Sequence, residues 1–136
     1  MKSVFEIAYR YIEPSIKRSI AIKLYEKGIP KIKIAEILSV SPSLITRYIK
    51  GEKGTGFNPL EDPRVNELIY NIVDKILSNG LSGYEVEREI HLAIAALLAE
   101  KRFCRIHKNV EPSINPPKCN ICIELFTSRY RLFPTR

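Results

Sequence analysis

Every cysteine of this 136-residue chain lies in the segment FCRIHKNVEPSINPPKCNICIELF, residues 103 to 126. Cys104 and His107 form a CxxH pair and Cys119 and Cys122 a CxxC pair. Two ligands separated by two residues turn in a tight knuckle, and two such pairs complete a tetrahedral site for one ion. The connecting stretch carries Pro112, Pro116 and Pro117 and is too irregular to form a core of its own, so a bound metal would organise it. Three thiolates and one imidazole suit Zn2+; an iron-sulfur cluster is the alternative, although the Cys-rich runs of ferredoxins are absent. The bland reading makes Cys104 and Cys122 small buried residues near helix ends, with His107 a surface side chain. His91 reads as an ordinary helical residue and not a ligand.

A second set of chemistry-bearing residues lies in IPKIKIAEILSVSPSLITRYIKG, residues 29 to 51. Ser41, Ser43, Thr46, Arg47 and Lys50, with Lys31, Lys33 and Lys53 around them, are hydrogen-bonding and cationic groups of the kind that read base edges or hold phosphates. Arg47, Ser43 and Thr46 are the expected base readers, and Lys31, Lys33, Lys50 and Lys53 the expected phosphate contacts. The spacing of Ile34, Ala35, Leu38, Val40, Ile45 and Tyr48 predicts two short helices that bury these residues across a tight turn. Ser41-Pro42 supplies an N-cap and a first-turn proline for the second helix. This stretch closely resembles the helix-turn-helix of phage-repressor-like (XRE-type) regulators, with Ser39 where that family usually has glycine. A left-handed residue there costs serine roughly 1 kcal/mol.

Four further features must position these two sets. Residues 3 to 28 read as a helix with Pro14 early in its main portion, Gly28 at its end, and Ile16, Ile20, Ala21 and Leu24 inward. Residues 52 to 63 form a turn-rich linker. Asp62-Pro63 opens a helix with Val65, Leu68, Ile69, Ile72, Val73, Ile76 and Leu77 on one face, stopped by Asn79-Gly80. Ser82 with Glu85 reads as a capping box for a last long helix bearing Val86, Ile90, Ala93, Ile94, Leu97 and Leu98. The expected fold is all-α: a helical bundle with a helix-turn-helix, plus a small metal-stabilised C-terminal segment. The expected division is 1–58 for DNA binding, 59–103 for helical dimerisation, and 104–136 for the Cys/His segment and basic tail. Packing of the two long helices on the N-terminal bundle is the alternative use of their apolar faces.

Charge is unevenly spread. Residues 1 to 60 carry 11 Lys and Arg against 5 acidic residues, residues 61 to 103 carry 5 against 8, and the remainder 6 against 2. Cations therefore concentrate on the expected DNA reader and the tail, as a polyanionic partner requires. No apolar run approaches the ~20 residues that span a bilayer and no signal peptide is visible, so a cytoplasmic protein is expected. A catalytic reading would make Cys104 the nucleophile and His107 its base, but no carboxylate is placed to orient the histidine and no phosphate loop appears. No enzyme activity is expected, and the residues identify no small-molecule substrate.

The whole arrangement resembles a group of small archaeal predicted transcriptional regulators, most clearly at IAEILSVSPSLITRYIKG, residues 34 to 51, and less so at the two Cys/His pairs. That resemblance implies a sequence-specific regulator that binds double-stranded DNA as a homodimer. Some relatives continue into a thiamine-phosphate-synthase-like sensor domain; nothing follows Arg136 here, so thiamine sensing is not carried over. The alternatives are an iron-sulfur redox-sensing regulator and a protein-interaction adaptor that uses the helix-turn-helix.

Overall fold

The computed structural model describes residues 2 to 127, and the end of the basic tail lies outside them. Among the described residues the fold is all-α, with no strand. Helix α1 (Val4–Ile7) runs through a π-helical turn (Ala8–Ile12) into α2 (Glu13–Glu26). Pro14 explains the wide turn. In an α-helix its ring would meet the carbonyl of Arg10, and the looser winding before it removes that clash. Ser15 uses the distortion: its hydroxyl donates to the carbonyl of Tyr11 at 2.8 Å and accepts the amide of Phe57 at 3.2 Å.

Helices α3 (Lys31–Leu38) and α4 (Pro42–Lys50) follow, then α5 (Pro63–Asn79), α6 (Tyr84–Ala99), α7 (Cys104–Val110) and α8 (Ile121–Phe126). Helix α2 is the hub, packed against α3, α4, α5 and α6. Its inward stripe of Ile16, Ile20, Ala21 and Leu24 is buried, as its spacing predicts. The two long helices α5 and α6 lay their apolar faces on this hub and on each other, so one hydrophobic core runs from Val4 to Phe103. No helix among the described residues is long and apolar enough to cross a membrane.

Three local expectations change. The turn-rich stretch after α4 does not hold the halves apart. Gly54, at φ +73, lies so close to α2 that a Cβ there would come within 2.7 Å of the Pro14 carbonyl. Phe57 then packs on Phe103 with ring centroids 5.3 Å apart and the rings tilted, and the stretch fastens one half of the chain to the other. Ser82 does not cap α6. Gly83 is the N-cap, at φ 60 and ψ −124, and its amide donates to the Ile37 carbonyl at 3.0 Å. A tertiary bond to the end of α3 thus takes the place of a side-chain cap. Leu77 is 42% exposed, since the inward stripe of α5 closes at Ile76.

Candidate nucleic-acid interface and cysteine cluster

The α3-turn-α4 unit is built as the spacing requires. Ile34, Ala35, Leu38, Ile45 and Tyr48 are buried, Val40 is half-buried, and Ile37 joins them. Ser39 takes φ 57 and ψ 43, the left-handed turn that reverses the chain. The amide of Val40 reaches the Ala35 carbonyl at 3.0 Å and closes the end of α3. Ser41 caps α4, its Oγ accepting from the amide of Leu44 at 3.2 Å, and it lies 3.1 Å from the hydroxyl of Ser43. At the other end, the Arg18 guanidinium donates to the Tyr48 carbonyl at 2.8 Å. A cation on the last carbonyls of a helix opposes its dipole and pins α4 to α2.

Tyr48 is the pivot of this packing. Burial pushes its phenol up to about 12, and the Glu13 and Glu87 carboxylates add to the effect. The outer side of the unit carries Lys33, Ser41, Ser43, Arg47, Lys50 and Lys53, all exposed, while Lys31 and Thr46 are half-covered. Arg47 approaches Glu52 only at 4.0 Å with both side chains half in solvent, and Lys33 pairs with Glu36 at 3.7 Å. Exposed pairs of this kind contribute little and exchange readily for phosphate. Arg10 was not visible as part of this surface from sequence. It lines, with Lys53, a cleft between the π-helical turn and the α3-α4 unit, where Val40 of the turn and Leu44 of α4 face it.

At the opposite end, Cys104, His107, Cys119 and Cys122 line one cavity of about 20 Å³, together with Val4 and Ile7 of α1. The i,i+3 spacing is helical in the first pair, where Cys104 opens α7 with His107 one turn on; in the second, Cys119 lies in the chain before α8, which holds Cys122. The three thiols are free and half-buried. Burial pushes Cys122 up to about 11, and the Cys104 and Cys119 thiols raise it further. Cys104 is raised as well, by burial first, with Lys101 opposing. A raised thiol is the opposite of what an activated nucleophile needs, whereas a cation in the cavity would favour all three thiolates.

His107 is buried rather than on the surface, 8% exposed, and its Nε2 lies 2.8 Å from the main-chain carbonyl of Lys2. A carbonyl only accepts, so Nε2 is the donor, which in the neutral ring leaves Nδ1 as the nitrogen able to ligate. That is the arrangement by which a backbone carbonyl sets the tautomer of a ligating histidine. Helix α8 packs on α6, and the Phe5 ring meets Phe126 edge-on at 6.1 Å. The cluster therefore belongs to both ends of the chain.

Sequence reasoning missed a third group. Among the described residues, the ligand atoms that already lie within 4.8 Å of one another belong to Glu13, Glu87 and His91, not to the Cys/His set, which the fold gathers more loosely. Glu87 and His91 share an i,i+4 face, but their meeting with Glu13 across α2 leaves no signal in the sequence. Lys17 fills the need for positive charge there, 2.6 Å from Glu87 and 3.4 Å from Glu13. The group is an ion-pair network that joins α6 to α2.

In comparisons with protein-family models, with curated proteins and with solved structures, nothing matches this chain. The functional reading therefore stands on its residues.

Proposed function

We propose that this protein is a sequence-specific, DNA-binding regulator of transcription that acts as a dimer in the cytoplasm. The observation that carries the reading is the α3-turn-α4 unit. Ser39 sits at φ 57 in a turn tight enough to cross two short helices, and Arg47 and Lys50 lie on the exposed side of the second. Presented to a major groove, α4 would read bases through Ser43, Thr46 and Arg47. Lys31, Lys33, Lys50 and Lys53 would hold phosphates, with Ser41 at the helix start. A two-fold dimer through residues 64 to 102 would set two such helices about one DNA turn apart. Tyr70, Leu77, Tyr84 and Leu92 are the exposed large apolar side chains of that region available to a second copy.

Cys104, Cys119, Cys122 and His107 are, in this reading, a metal site that is structural or sensory. The Cys-rich runs of ferredoxins are absent from the sequence. Zinc is accordingly preferred to iron-sulfur, and an absorbance spectrum with metal analysis of anaerobically purified protein separates the two. We assign no catalytic role to Cys104 and His107.

The test is binding to duplex DNA across a salt series, with unrelated duplex as competitor. A steep loss of affinity with salt, together with preference for a selected sequence, is the expected result. Lys50→Ala should weaken all sequences alike, whereas Arg47→Ala should relax preference at particular positions. Binding that ignores salt and sequence would favour the adaptor reading instead.

A further inference from the structure

Helix α6 ends on an unexpected residue. Glu100 is its C-cap, and Lys101 follows at φ 59, in the left-handed region where glycine is the ordinary choice. The main chain gives no reason for a lysine. Its amide donates to the Leu98 carbonyl at 2.9 Å and that of Arg102 to Leu97 at 3.0 Å, a closure that glycine makes equally well. Helices α4 and α5 do end on glycines, Gly51 at φ 76 and Gly80 at φ 68. A non-glycine side chain held in this region costs roughly 1 kcal/mol, and here, unlike at Ser39, the side chain makes contacts that offset it.

The Lys101 ammonium donates to the carbonyl of Pro116 and, at 2.7 Å, to that of Cys119. These carbonyls lie in and just after the turn in which the Cys119 amide bonds back to Asn115 at 3.0 Å. The ammonium therefore fixes the turn that presents Cys119. Among the described residues it is also the one Lys or Arg that lines the cysteine cavity. Three thiolates and a neutral imidazole around a divalent ion leave one net negative charge, and a lysine at the cavity wall balances it.

We propose that Lys101 is a positioning residue for a thiophilic divalent cation, zinc in the first instance, held by Cys104, His107, Cys119 and Cys122. Its ammonium sets the Cys119 turn and neutralises the residual charge of the three-thiolate site. This rests on the metal reading above and goes beyond it by assigning the outer partner, which explains a strained backbone that the ligands alone leave unexplained. Outer partners of this kind change metal affinity by roughly ten- to a hundredfold.

The experiment uses the full chain, stripped of metal anaerobically and titrated with zinc against a chromophoric chelator. Wild-type protein should take up one ion and shield all three thiols from a thiol reagent. Lys101→Gly, which removes the ammonium and relieves the backbone, should bind zinc roughly ten- to a hundredfold more weakly. Lys101→Arg should recover most of that loss. Lys101→Met keeps a side chain in the left-handed position without the charge and should bind as weakly as the glycine variant, so the comparison survives if one of them folds poorly. Wild-type zinc affinity in the glycine and methionine variants would overturn the role of Lys101. Absence of zinc uptake by the wild-type chain would instead remove the metal reading itself, and that result appears before any variant is made.

Discussion

The helix-turn-helix and the cysteine cluster are built in opposite ways. Residues 31 to 51 form a unit whose caps, turn and apolar spacing are all local: Ser41 caps α4, Ser39 reverses the chain, and Gly51 stops α4 at φ 76. The cysteine cavity is assembled from α1, the end of α6, α7 and the turn before α8, and its histidine is held by the carbonyl of Lys2, 105 residues away in sequence. Local construction gives the proposed reader a turn and caps set within its own residues, and α2 serves as the element it packs on. Distant construction gives a site whose shape reports on whether both ends of the chain are in place. A binding surface needs the first property, and a structural or sensory site the second.

The comparison can be broken by disturbing each region and watching the other. Phe103→Ala should have the largest effect, lowering the unfolding free energy by roughly 3–5 kcal/mol in denaturant titration. Phe103 is 3% exposed and supports both the Phe57 ring and the cysteine cavity. All three thiols should then react faster with a thiol reagent although none has been replaced. Unchanged thiol reactivity would mean that the cluster stands without this support.

A smaller effect is expected at alkaline pH. The phenol of Tyr48 is raised from 10.0 to about 12 in the folded chain, so the unfolded chain releases this proton first. The stability is fully present below pH 10, falls as pH rises, and is lost by about pH 12. The step is on the order of 2 kcal/mol, and Tyr48→Phe should lack it when unfolding is followed across that window. Ser39→Gly should stabilise by up to about 1 kcal/mol, since only the left-handed backbone is at issue, and thermal melting reads the gain. The smallest effect is at Ser82, where alanine should change stability by less than about 0.5 kcal/mol. A loss of ~1 kcal/mol there would restore the capping box that the Gly83–Ile37 bond replaces.

The same contrast explains what could be read from the amino acids. Periodicity and capping residues located α2 to α5 and the turn at Ser39, because those features are set within a few residues of one another. The cap of α6 differs from the expected one because the amide of its N-cap, Gly83, bonds to Ile37, a partner that no local pattern announces. Cys104, His107, Cys119 and Cys122 were found from two-residue spacings, yet the carbonyl behind His107 and the ammonium behind Cys119 come from Lys2 and Lys101, which carry no motif. The Glu13, Glu87 and His91 group escaped for the same reason, since its members meet only when α6 lies on α2. Ala93, expected inward with its neighbours on α6, is only half-covered, and Thr46, expected outward on α4, is half-covered too.

The central claim, that α4 reads DNA sequence, is tested most directly by selection of binding sites from a randomised duplex pool with wild-type protein and with Arg47→Ala. Wild-type protein should enrich one motif in two related half-sites about one helical turn apart, and the variant should lose the base preference at defined positions in each half-site while still binding DNA. No enrichment by the wild-type chain, or the same motif enriched by both proteins, would contradict the assignment of α4 and Arg47 as the reader.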